Sequence, residues 1–86
     1  MSLSNVTPHP RLSRLAINEE GFVFDPQTGE SFTINPSGSL IIKSLAQGLG
    51  DEESAAAVAE AFDINSHDAY RDVRDFIEQL RLHNLF

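Results

Sequence analysis

Tyr70, Arg74, Ile77 and Arg81 follow one another at i, i+4, i+7 and i+11, the spacing that lines side chains along one stripe of a helix. An aromatic ring, an aliphatic side chain and two guanidiniums in a row can grip a partner and select acidic groups on it. Arg71 extends the stripe, so half of the chain's six cations fall on one helix. The local alternative is pairing within the helix. Arg71 with Asp75 and Arg74 with Glu78 stand at i,i+4, where a pair is worth about 0.2–0.5 kcal/mol. A second segment, Glu30 to Ile34, offers backbone groups instead. Ser31-Phe32-Thr33-Ile34 alternates polar and apolar residues and carries neither proline nor lysine, the usual means of blunting a sheet edge. Such an edge can accept another extended chain as an added strand, unless a loop, the N-terminal segment or a second copy covers it.

Catalytic constellations are absent. His9, His67 and His83 lie far apart, and no HExxH spacing or cysteine pair suggests a metal site. No serine sits in a nucleophile elbow. Gly48-Leu49-Gly50 follows a helix instead of preceding one, so it reads as a helix terminus and turn, not a phosphate loop. Asp51-Glu52-Glu53 opens a helix, where capping and the helix dipole account for three acids. Neither a catalytic residue nor a metal or cofactor is expected.

The length of 86 residues suits one domain with a thin core. Hydrophobic content of 41% is adequate for a globular fold, and the lack of cysteine fits a reducing compartment. A net charge of −7 repels phosphate backbones, which argues against nucleic acid as a partner. No apolar run reaches the roughly 20 residues a membrane span needs, and MSLSNVTPHP lacks the pattern of a secretion signal. A cytoplasmic location is expected.

The elements that position these residues follow from pattern. Residues 1–11 are polar and proline-bearing and read as a disordered tail, with a domain over 12–86. From Leu12 the alternation of Leu15 and Ile17 with polar neighbours predicts a first strand. Glu19-Glu20-Gly21 is a turn, Phe22-Val23-Phe24 a second strand, and Asp25-Pro26-Gln27-Thr28-Gly29 a hairpin loop. The third strand is Glu30 to Ile34, with Phe32 and Ile34 toward the core. Asn35-Pro36 caps and opens a first helix with an Ile41-Ile42-Leu45 stripe, ending near Gly48. Asp51 caps a second helix, Glu52 to Phe62, with Ala55, Val58, Ala59 and Phe62 inward. The third helix runs from about His67 to His83, with Ala69, Val73, Phe76 and Leu80 as its core stripe. Leu85 and Phe86 fold back as a hydrophobic plug. Three antiparallel strands followed by three helices give an α+β domain, winged helix-turn-helix-like.

At two segments the chain resembles the pyrroloquinoline quinone synthesis protein D (PqqD) family. They are FDPQTGESFTINPSGSLIIKSLAQG and AFDINSHDAYRDVRDFIEQLRLHNLF. The first is similar to the family's strand–Asn–helix passage through Ile34, Asn35, Gly38, Ile41, Ile42 and Gly48. The second is similar to its closing helix through Asp72, Val73, Phe76, Leu80, Leu85 and Phe86. The likeness covers about Leu12 to Phe86, and Ser39 and Ser44 depart from it. It implies a winged-helix-like fold of three strands and three helices, and no catalysis. It further implies binding of the leader segment of a ribosomally made precursor peptide and its presentation to a modifying enzyme, such as a radical S-adenosylmethionine enzyme. In relatives the leader adds to the third strand and lies against the third helix.

The expectation is therefore a peptide-binding module. The backbone of Ser31, Phe32, Thr33 and Ile34 pairs with the peptide, with the Phe32 and Ile34 side chains toward the core. Tyr70 and Ile77 form an apolar wall, and Arg74 and Arg81 select acidic side chains. The alternatives are a winged-helix DNA-binding regulator and a structural homodimer closed through the strand edges. The first suffers from a second helix with no basic residue and a first helix with only Lys43.

Overall fold

The computed structural model describes residues 9–86; the first eight residues of the expected tail lie outside them. The order is α1 (Pro10–Ser13), β1 (Ala16–Ile17), β2 (Phe22–Phe24), β3 (Ser31–Thr33), α2 (Pro36–Ala46), α3 (Asp51–Phe62) and α4 (Ser66–Leu82). The α+β architecture with one three-stranded antiparallel sheet is as expected, in the order β1-β2-β3.

One element differs. Residues from Leu12 were expected to begin a strand, yet Pro10–Ser13 is a helical turn. Pro10 fits the first helical position, and His9 Nδ1 accepts from Leu12 N–H at 3.3 Å. His9 N–H donates to the Ala46 carbonyl at the end of α2, at 3.0 Å. The turn buries Leu12 to 1% exposure among the helices, so the packed domain begins before residue 12. Leu12 and Leu15 are three apart, a spacing that puts them on one face of a helical turn but on opposite faces of a strand.

The helices begin where capping chemistry dictates. Asn35 Oδ1 accepts from Gly38 N–H at 2.8 Å, and Asn65 Oδ1 from Asp68 N–H at 2.8 Å. At α3 the Glu53 carboxylate reaches back to Gly50 N–H, 2.7 Å, so Gly50 precedes the helix and the expected cap, Asp51, is its first residue. Leu12, Ile41, Ile42, Leu45, Ala55, Val58, Ala69, Val73, Ile77, Leu80 and Leu85 form one buried cluster. The C-terminal plug is present. Asn84 takes a left-handed φ of 59°, Leu85 N–H returns to the Leu80 carbonyl at 2.8 Å, and Phe86 stacks on His9.

The hairpin is tied to α1 by a fork. Arg14 Nε and Nη2 each donate to one oxygen of Asp25 at 2.9 Å, and Asp25 is 1% exposed. The Arg14 bonds lower the Asp25 pKa from 3.8 to about 2, against the opposing effect of burial. Because the folded value is the lower one, the pair stabilises the fold fully above 3.8, and that contribution is lost as pH falls toward about 2. The urea midpoint of the wild type should therefore exceed that of Asp25→Asn at neutral pH, and the gap should shrink through that window. A gap independent of pH would mean that the carboxylate is not held ionised by Arg14.

Candidate functional site

β3 is an edge strand, and its register decides which of its backbone groups are free. Phe22 faces Thr33, Val23 faces Phe32 and Phe24 faces Ser31. Asp25 N–H donates to the Glu30 carbonyl at 2.9 Å, and Ile34 N–H to the Gly21 carbonyl at 2.8 Å. Antiparallel bonding alternates along a strand, so residues 30, 32 and 34 turn their polar groups toward β2. The N–H and C=O groups of Ser31 and Thr33 point the other way, and nothing among the described residues pairs with them. The side chains alternate too. Phe32 and Ile34 turn inward and are half-buried against the core, while Ser31 and Thr33 lie on the outer face beside Phe22 and Phe24.

Beside this edge runs one flank of α4. Asp72, Phe76, Gln79 and His83 stand at i, i+4, i+7 and i+11. At its C-terminal end His83 stacks on Phe32, ring centroids 6.1 Å apart. At the other end Asp72, Asp75, Phe76 and Gln79 meet Asn35, Ser37, Gly38 and Ile41 around an open hollow of about 320 Å³. Gly38 is what lets the two helices come so close here. A Cβ at that position would stand 3.0 Å from Phe76 Cε1 and 3.1 Å from Asn35 Oδ1.

The structure brings together Ser31, Phe32, Thr33 and Ile34 but not the expected wall. Tyr70, Arg74, Ile77 and Arg81 have the same spacing as the flanking residues, displaced by two positions, which turns them about 200° around the helix. Ile77 is core, 2% exposed. The expected core residue Phe76 is half-buried in the groove instead. Tyr70 and Arg74 both donate to Asp51 Oδ2 at 3.2 Å, which fastens α4 to the first turn of α3. The Asp51 carboxylate also raises the Tyr70 pKa, chiefly through that hydrogen bond. Arg81 pairs with Glu78 at 2.7 Å and lies over the Phe86 ring, and Arg71 pairs with Asp68 at 3.0 Å. The alternative i,i+4 pairs of Arg71 with Asp75 and Arg74 with Glu78 do not form. The cations of α4 therefore serve the helix and its neighbours, and exposed pairs of this kind are each worth about 0–1 kcal/mol.

Missed in the sequence were Phe76, Asp72, Gln79 and His83 as groove residues. The signal was present: their spacing is as regular as that of the arginine stripe. Among the described residues no group of three or more His, Cys, Asp or Glu side chains could hold a metal ion, and no helix is long and apolar enough to cross a membrane.

Residues 20–85 match the family model described as coenzyme PQQ synthesis protein D (PqqD). Among solved structures, lasso peptide synthetase B1 complexed with the leader peptide superposes with a TM-score of 0.68 at 23% identity, covering 80% of this chain and 82% of that one. The likeness to that structure is one of fold. No curated protein matched the sequence. The family match takes in the sheet from the turn before β2, the cap at Asn35, all three long helices and Leu85, and the chain belongs to the PqqD family.

Proposed function

We propose that this protein is a non-catalytic recognition element. It binds the leader segment of a ribosomally made precursor peptide along β3 and presents it to a modifying enzyme. The observation that carries this reading is the edge itself: the outward backbone groups of Ser31 and Thr33 lie beside a groove walled by Phe76, Gln79 and His83. Strand addition supplies affinity through main-chain bonds, and pockets for alternate side chains supply specificity. The lasso peptide synthetase B1 of the same fold was solved with a leader peptide, which supports the same role here. The receiving enzyme is proposed only as a class, with radical S-adenosylmethionine enzymes included. An interface of this kind binds at around micromolar strength, about −8 kcal/mol.

The test is a two-dimensional NMR titration with leader peptides encoded beside this reading frame. Amide shifts are expected along Glu30 to Ile34 and at Asp72, Phe76, Gln79 and His83. Tyr70, Arg74 and Arg81, on the opposite flank, should stay silent. No shift with any leader, together with a mass showing a dimer closed through β3, would replace the peptide reading with self-assembly.

A further inference from the structure

We infer that the peptide held in the β3–α4 groove is cationic: it places a lysine or arginine against Asp72 and Asp75, next to an apolar side chain seated over Phe76. This inference rests on the peptide-docking reading and deepens it by naming the chemistry of the ligand. It also reverses the preference for acidic side chains that the arginine stripe suggested.

The groove carries unspent negative charge. Arg71, Arg74 and Arg81 are each matched by a carboxylate outside the groove: Asp68, Asp51 and Glu78. Arg14, at the far end near His83, is matched by Asp25. Asp72 and Asp75 line the hollow, are exposed, and have no ion-pair or hydrogen-bond partner among the described residues. Glu30, at the start of β3, adds a third carboxylate at the other end of the groove. A bound strand displaces water from this concave surface and weakens the solvent screening of its charges. An acidic side chain there meets repulsion from Asp72 and Asp75 with no Lys or Arg among the described residues that line the hollow, and a basic one meets two carboxylates. The hollow beside Gly38, Ile41 and Phe76 has room for an apolar side chain against the Phe76 ring, which anchors the strand and fixes which of its residues faces the aspartates.

The experiment selects displayed random dodecapeptides on the folded protein. It compares the wild type, Asp72→Asn/Asp75→Asn, and a control of equal charge change on α3, Glu52→Gln/Glu60→Gln. Peptides selected by the wild type and by the control should show at least a threefold rise in the ratio of Lys plus Arg to Asp plus Glu over the input. The aspartate variant should select peptides near the input ratio. Peptides from each pool are then titrated by NMR. Selected peptides that shift β3 but show no basic bias, or keep it with the aspartate variant, overturn the charge preference and leave the docking site standing. A basic bias lost equally with the control overturns it too, because the whole acidic surface would then be its source. Selected peptides that leave Glu30 to Ile34 unshifted overturn both readings.

Discussion

Thr33→Pro is expected to weaken peptide binding at least tenfold, about 1.4 kcal/mol, and in practice to abolish it, while the protein stays folded. The Thr33 N–H faces the open edge, because the neighbouring bonds from Ile34 to Gly21 and from Asp25 to Glu30 consume the alternate groups. A proline there removes no bond of the sheet, and edge strands tolerate it for that reason. It does remove a donor that an added strand requires, and its ring occupies the space where that strand would lie. Each main-chain bond is worth about 0.5–1.5 kcal/mol net, so losing one and displacing its neighbour is enough for the expected effect. Phe32→Pro is the matched contrast. Its N–H faces Val23, so the same substitution one residue earlier should unfold the hairpin. Isothermal titration with a leader peptide, alongside far-UV circular dichroism, separates the two effects. A folded Thr33→Pro protein that binds normally would remove β3 from the site.

The half of the proposed site made by β3 was legible because local rules fix the strand. Hairpin chemistry at Asp25 to Gly29 sets where β3 starts, and the Asn35-Pro36 cap sets where it stops. The alternation of Phe32 and Ile34 with Ser31 and Thr33 gives the face of each side chain. The half made by α4 was not, although the helix itself was placed within one residue at either end. Phe76 and Ile77 are adjacent, both apolar, and both spaced suitably from Val73 and Leu80. A core stripe through either obeys helical periodicity, and only the packing of α4 on α2 and α3 decides between them. Gly38 tips that choice, since its missing side chain lets the Phe76 ring lie over the first turn of α2 and leaves Ile77 for the interior. The arginine stripe misled for a related reason. The partner of Arg74 is Asp51, a residue on another helix that no i,i+4 rule finds. The outer face of β2 shows the same limit. Val23 is wholly buried while Phe22 and Phe24 are 53% and 46% exposed, so the larger side chains lie outside. The pleat fixes that they share a face, and pairing with Thr33 and Ser31 fixes which.

Gly21→Ala should be a strongly damaging single-methyl addition, at about 2–4 kcal/mol of stability. Gly21 has φ of 90°, a conformation that costs a residue with a side chain about 1–3 kcal/mol. A Cβ there would also stand 2.3 Å from the Ile34 carbonyl oxygen. That atom is backbone, so β3 itself would have to move, and the Ile34 N–H bond to Gly21, worth about 0.5–1.5 kcal/mol, would go with it. Gly29 isolates the steric part. Its φ is 80°, yet an added Cβ meets nothing within 4 Å, so Gly29→Ala carries the conformational cost alone. Urea denaturation of the two variants should therefore rank Gly21→Ala well below Gly29→Ala; equal midpoints would mean that the Ile34 carbonyl does not press on Gly21. The consequence reaches the site. Ile34 joins β3 to the Asn35 cap, so the contact that makes Gly21 necessary also holds the end of the open edge in register with the hollow over Phe76. A Gly21→Ala protein that remains folded should then bind leader peptide more weakly, although residue 21 lies on the far side of β3 from the peptide.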